Sequence, residues 1–109
     1  MKIITFKVAG VSHENRQSIL ASLRGDEPCR IEAEPTNPYD PNALAVKVAT
    51  KEGVKHVGYV PRDLAKTIAP AFQGEYIMAK LDRIVGGFET AWGDTALWGL
   101  VVTVEVPVE

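Results

Sequence analysis

Asn37-Pro38-Tyr39-Asp40-Pro41-Asn42-Ala43 stands between two apolar alternations, residues 29–34 and 43–48, and reads as a corner joining two strands of one sheet. Pro38 and Pro41 hold their own φ near about −65° and drive Asn37 and Asp40 out of the α region, so the corner is rigid. A loop that only reverses the chain is served by Asn-Gly or Asp-Gly. This one instead carries an aromatic ring at Tyr39, a carboxylate at Asp40 and side-chain amides at Asn37 and Asn42, the material of a binding site. The same residues have a plainer use, because Asn and Asp bond their own backbone in Asx-turns and Tyr covers sheet edges. Both readings fit the stretch taken alone.

Outward from this corner the chain divides into short elements. Residues 2–8 read as a first strand, leading through Gly10 to a polar corner at Ser12-His13, with Ser12 as the N-cap of a helix. Ile19, Leu20 and Leu23 recur at helical spacing and Gly25 follows as a stop, which predicts a helix of about three turns. Arg16 and Gln17 fall in its opening turns, where the helix dipole disfavours a cation without a nearby anion. Arg16 is therefore a candidate functional residue, and a surface ion pair is the plainer alternative. Residues 30–34 form the second strand, with Ile31 and Ala33 inward and Arg30, Glu32 and Glu34 outward; residues 43–49 form the third. Lys51-Glu52-Gly53 turns into a fourth strand at 54–60, where Gly58 permits a close approach. Pro61 opens a second helix carrying Leu64, Ile68 and Phe72 on one face, Pro70 kinks or ends it, and Gly74 closes the segment. Residues 75–85 and 95–106 are two long strands around a turn-rich stretch. The order β-α-β-β-β-α-β-β predicts a mainly β, α+β fold: a small curled antiparallel sheet or partly open barrel with Val46, Val48, Val57 and Leu64 buried.

With 109 residues, 46% hydrophobic and 24% charged, the chain is expected to form one domain over residues 1–109. Cys29 is the only cysteine, which excludes an internal disulfide and a cysteine zinc site and suits a reducing, cytoplasmic setting. The apolar N-terminal residues are interrupted by Lys7, short of a signal-peptide core, and the longest apolar run, residues 96–102, is far below the ~20 residues of a membrane span. A net charge of −2 and a pI near 5.7 exclude a diffuse basic surface that coats nucleic acid, so any such site is local.

Three runs together resemble the HIRAN domain. They are Phe6-Lys7-Val8-Ala9-Gly10-Val11 with His13 and Arg16-Gln17; Glu34-Pro35 with the corner through Val46; and Val57-Gly58-Tyr59-Val60-Pro61-Arg62 with Ala65. The resemblance covers roughly residues 3 to 85. It implies an OB-like β-barrel with added helices, a fold found fused to Swi/Snf-class DNA translocases and as a stand-alone prokaryotic or phage protein, the form this chain looks like. It further implies a module that captures single-stranded DNA 3′ ends in repair or recombination. The Asn-Pro-Tyr-Asp loop of such members holds the terminal nucleotide and its free hydroxyl, which makes Tyr39 and Asp40 the end-recognition pair here. Where DNA-binding members carry an arginine and an aromatic residue after the first glycine corner, this chain has Ser12 and His13.

On chemical grounds an ionised Asp40 accepts from a sugar hydroxyl and repels a terminal phosphate, while Tyr39 stacks on a base of any identity. Asn37 and Asn42 hydrogen-bond the nucleotide or brace the loop. Arg62 is at the second position of the second helix, where the resemblance implies a basic residue near the bound backbone and exposed N–H groups add to the pull on phosphate, with Lys66 one turn later extending the contact or simply solvated. Tyr59 stacks a second base or packs in its strand, and His13 stacks or, when protonated, meets phosphate. Catalysis is not expected. Glu32, Glu34 and Asp40 lack the partners of a metal-dependent nuclease, Ser12-His13 lacks an orienting third group, and Gly86-Gly87 has no phosphate-loop sequel. No cofactor or metal is expected, and the expected form is a monomer. The competing function is a non-catalytic adaptor for a protein partner, with Trp92 as an exposed anchor and Trp98 in the core.

Overall fold

The alternations flanking the Asn-Pro-Tyr-Asp corner become two paired strands, β2 (Pro28–Ala33) and β3 (Leu44–Thr50), matched antiparallel from Cys29↔Val48 to Ala33↔Leu44. Cys29, Ile31, Leu44, Val46 and Val48 point inward and are buried, each large aliphatic among them contributing ~1.5–3 kcal/mol. Burial pushes the Cys29 thiol up to about 11, so it behaves as a small apolar side chain. The computed structural model describes residues 1–72, 76–88, 91–92 and 96–107. The predicted stop at Gly74 and the strand starts at Glu75 and Thr95 lie outside them.

The remaining elements are β1 (Lys2–Lys7), α1 (Arg16–Ser22), β4 (Gly53–Tyr59), α2 (Arg62–Ile68), a 3₁₀ turn (Ala69–Ala71), β5 (Tyr76–Val85) and β6 (Gly99–Val106). The strands form one six-stranded antiparallel sheet in the order β1-β6-β5-β2-β3-β4. Leu20 of α1, Ala65 and Ile68 of α2, and Phe72 join its buried face. The architecture is α+β and OB-like. Among the described residues, no helix is long and apolar enough to cross a membrane.

The sheet does not close by a continuous ladder, but its two outer strands meet at one point. Beyond β1, Ala9 forms a bridge with Tyr59, its N–H donating to Tyr59 O at 2.8 Å and the Tyr59 N–H donating back at 2.9 Å. Gly58 makes this approach possible: a Cβ there would lie 2.4 Å from Ala9 O and 2.5 Å from Val8 Cγ1.

The helices depart from expectation at their ends. Ser12 caps nothing. The chain turns twice after Gly10 (φ 73°), with Glu14 at φ 56°, so α1 starts at Arg16 after Asn15 and lasts only 7 residues. It stops at Ser22 because Leu23 is already extended, and Gly25 serves instead a turn in which the Arg24 and Gly25 N–H groups donate to the Glu27 carboxylate at 2.7 and 2.8 Å. Those bonds and the Arg24 charge hold Glu27's carboxyl below its ordinary range against the opposing pull of burial. Pro61 precedes α2 rather than opening it, and Pro70 converts the helix to the 3₁₀ turn. Leu64, expected in the core, is half-buried at its margin.

Candidate nucleic-acid interface

The corner owes its shape to Asn37. Its Oδ1 accepts the N–H groups of Tyr39 (2.8 Å) and Asp40 (3.1 Å), an Asx-turn, and its Nδ2 donates to Glu34 Oε1 at 3.0 Å. Asn37 is thus engaged as a brace. Asp40 continues the scaffold, with Oδ1 accepting the Asn42 N–H at 2.9 Å, while its Oδ2 lies 3.7 Å from Arg62 Nε. Tyr39 projects from this frame with 89% of its surface exposed. A large apolar ring held in water on a braced loop is placed to stack on a ligand.

Tyr59, the last residue of β4, forms the neighbouring wall. Its hydroxyl donates to Glu34 Oε1 at 3.0 Å, so one carboxylate ties it to Asn37. Burial, then this bond to Glu34, raises the phenol above its ordinary range and keeps it protonated. The His56 ring meets Tyr59 edge-on at 4.8 Å, and the Arg16 guanidinium lies 5.6 Å from the Tyr59 ring centroid. Burial, followed by the Arg16 charge, lowers the pKa of His56, whose Nε2 is 2.8 Å from Gly58 O.

Arg16 is not the surface residue of the ion-pair alternative. Only 6% exposed, it donates from Nη1 to Gly10 O at 2.7 Å, and among the described residues its Nε has no partner. Its neighbour Gln17 is structural, pinning the corner after β1 to Trp98 by a bond to Val11 O and two bonds to the Trp98 backbone.

Arg16, Asn37, Tyr39, Asp40 and Tyr59 border one cleft of about 580 Å³, within the ~300–1,000 Å³ usual for small-ligand sites. Of the residues predicted from the sequence, His13, Arg16, Asn37, Tyr39, Asp40, Tyr59 and Arg62 line it. Two do not. Asn42 faces a separate depression beside Pro41 and Ala69, and Lys66 is exposed on α2 beyond the cleft, which α2 reaches only with Arg62. Glu14 lines the cleft and was not foreseen, since nothing in its sequence context foretells a positive φ. A second depression of about 490 Å³, between α1 and the β3–β4 turn, contains none of the candidates.

Elsewhere the outward acids are engaged. Glu32 accepts from Arg30 at 2.6 Å and Lys47 at 3.4 Å, which together hold its carboxyl below the ordinary range although burial opposes them. Among the described residues, no three His, Cys, Asp or Glu side chains gather as a metal site. Trp92 is 91% exposed and Trp98 is packed against the core.

Neither a curated protein nor a solved structure matches the chain significantly. A family model described as HIRAN domain matches residues 2–87, a span from β1 through β5 that holds every residue of the cleft. Such a match supports a DNA-binding role. With the greater part of its length so matched, and with an OB-like sheet carrying the Asn-Pro-Tyr-Asp corner, the chain belongs to the HIRAN domain family.

Proposed function

We propose that this protein is a non-catalytic, monomeric, cytoplasmic module whose cleft captures the 3′-hydroxyl end of single-stranded DNA, acting in repair or recombination. One observation carries the reading: the Asn37 turn presents an exposed stacking ring, Tyr39, beside an anchored acceptor, Asp40. A hydroxyl donates to Asp40 Oδ2, whereas a terminal phosphate would bring two negative groups together. Arg62, with 80% of its side chain exposed, faces both Asp40 and the solvent from which a sugar-phosphate backbone would arrive. The competing reading, an adaptor for a protein partner, draws on the exposed Trp92 and Phe88.

Fluorescence anisotropy with a short strand ending in hydroxyl or in 3′-phosphate, at two salt concentrations, tests this. The hydroxyl end should bind better and Asp40→Ala should shrink the gap, while Tyr39→Ala should weaken hydroxyl-end binding by ~1–3 kcal/mol if stacking dominates. Equal binding of both ends, or none at low salt, would turn the assignment to the adaptor.

A further inference from the structure

Hydroxyl capture by Asp40 leaves the most unusual side chain of the cleft without a task. Arg16 has five N–H donors. One meets Gly10 O; Nη2 is 3.8 Å from Glu14 Oε2, beyond hydrogen-bond reach, and Nε is buried without a partner among the described residues. A guanidinium this far withdrawn from water, with its Nε buried and unpartnered, is unfavourable unless an anion completes it. Glu14 is a poor completion: 71% of its side chain is exposed, and such pairs contribute little.

The charges of the cleft select what completes it. Arg16 and Arg62 face Glu14 and Asp40, so an anion enters only where one acid gives way. Asp40 is held by the Asn42 N–H and sits beside Arg62; among the described residues Glu14 has only the long contact to Arg16. Glu14 is the acid that gives way. Arg16 comes from the α1 side and Asp40 from the loop side. Tyr59 lies between them, its ring facing Arg16 and its hydroxyl tied through Glu34 to Asn37. A nucleotide whose 3′-hydroxyl reaches Asp40 carries its 5′-phosphate at the other end of the same sugar.

We infer, building on the end-capture reading, that Arg16 binds the last internucleotide phosphate of the captured strand, and that Glu14 is the resident counter-ion this phosphate displaces. The cleft then reads strand polarity, with hydroxyl on the loop side and phosphate on the α1 side.

The test uses 3′-hydroxyl strands carrying one neutral methylphosphonate at the last or at the fourth linkage, titrated by anisotropy against wild type, Arg16→Gln, Glu14→Gln and the remote control Glu52→Gln. Neutralising the last linkage should weaken wild-type binding about tenfold, as loss of a charge-assisted bond implies, and the fourth linkage far less. In Arg16→Gln the last-linkage penalty should largely vanish, a non-additive cycle. Glu14→Gln should tighten the unmodified strand about threefold, in line with removal of a weak exposed ion pair, and leave the last-linkage strand unmoved, with no such gain in Glu52→Gln. Equal penalties at both linkages, or the full last-linkage penalty in a folded Arg16→Gln, would overturn the inference while a surviving hydroxyl preference kept end capture intact. Absence of binding to any strand would overturn both. Should Arg16→Gln fail to fold, the Glu14→Gln arm decides in its place: no gain on the unmodified strand, or an equal gain on the last-linkage strand, would overturn the inference.

Discussion

Gly58→Ala should damage this fold and its cleft together, because the missing side chain is what lets β1 and β4 meet. The new Cβ would sit 2.4 Å from Ala9 O and 2.5 Å from Val8 Cγ1, so the bridge must open. Opening it loses the reciprocal Ala9 and Tyr59 hydrogen bonds, ~0.5–1.5 kcal/mol each. Residual crowding of Val8, buried in the core, adds ~1–3 kcal/mol. The total of ~2–6 kcal/mol is a large share of the ~5–15 kcal/mol typical of a domain. Gly53→Ala is the control: its Cβ would meet nothing within 4 Å, leaving only the strain of φ 109°, ~1–2 kcal/mol. Urea unfolding followed by tryptophan fluorescence compares the two through their midpoints at constant slope. A Gly58 variant no less stable than the Gly53 variant would refute the reasoning. Since Ala9, Gly10, Tyr59 and Val60 line the cleft, the Gly58 variant should also bind DNA ends more weakly under conditions where it stays folded.

Asn37→Ala removes three side-chain bonds at a partly exposed turn and should lower stability by ~1–2 kcal/mol, with weaker hydroxyl-end binding through loss of the preset loop. Calorimetry and anisotropy check both, and unchanged end binding would show the brace to be dispensable. Arg62→Ala should weaken binding about equally for all sequences and reduce the salt slope by ~1, whereas a sequence-selective loss would assign Arg62 to a base edge. Burial and the nearby Arg16 charge hold the folded-state pKa of His56 below its ordinary value of 6.5, so below that pH the unfolded chain takes up a proton that the folded chain refuses. Stability from neutral His56 is therefore full above about pH 6.5 and falls as the pH drops toward the folded-state pKa. His56→Gln should flatten this acid-side decline in urea titrations at stepped pH, and an undiminished slope would place its origin in another group.

The strands are readable because the two faces of β2 differ in chemistry: Cys29 and Ile31 alternate with Arg30 and Glu32, and a slip of one residue against β3 would turn the first pair out of the core. The helix ends are not. Ser12 has the chemistry of an N-cap, yet two successive turns, residues 10–13 and 13–16, with Glu14 at φ 56°, carry the chain past it before the helix starts. The Asn-Pro-Tyr-Asp corner was legible as a rigid feature from its two prolines. Its division of labour was not: whether Asn37 meets a ligand or its own backbone depends on side-chain torsions that the residue types leave open.

Arg16 shows where such reading stops. Helical spacing places it in the opening turn of a short helix, where most arginines lie in solvent, and the net charge of −2 gave no reason to look for a buried cation. Its burial is produced by the corner at Gly10, which returns a backbone carbonyl to the guanidinium, and by Tyr59, whose ring covers it from β4. A Cβ at Gly10 would come within 3.1 Å of Nη1, so the glycine that turns the chain also makes room for the arginine. An acidic protein therefore needs no basic surface to attract an anion. One guanidinium withdrawn from water, with its Nε unspent and only a loosely held carboxylate opposite, concentrates in a single cleft the attraction that the overall charge conceals.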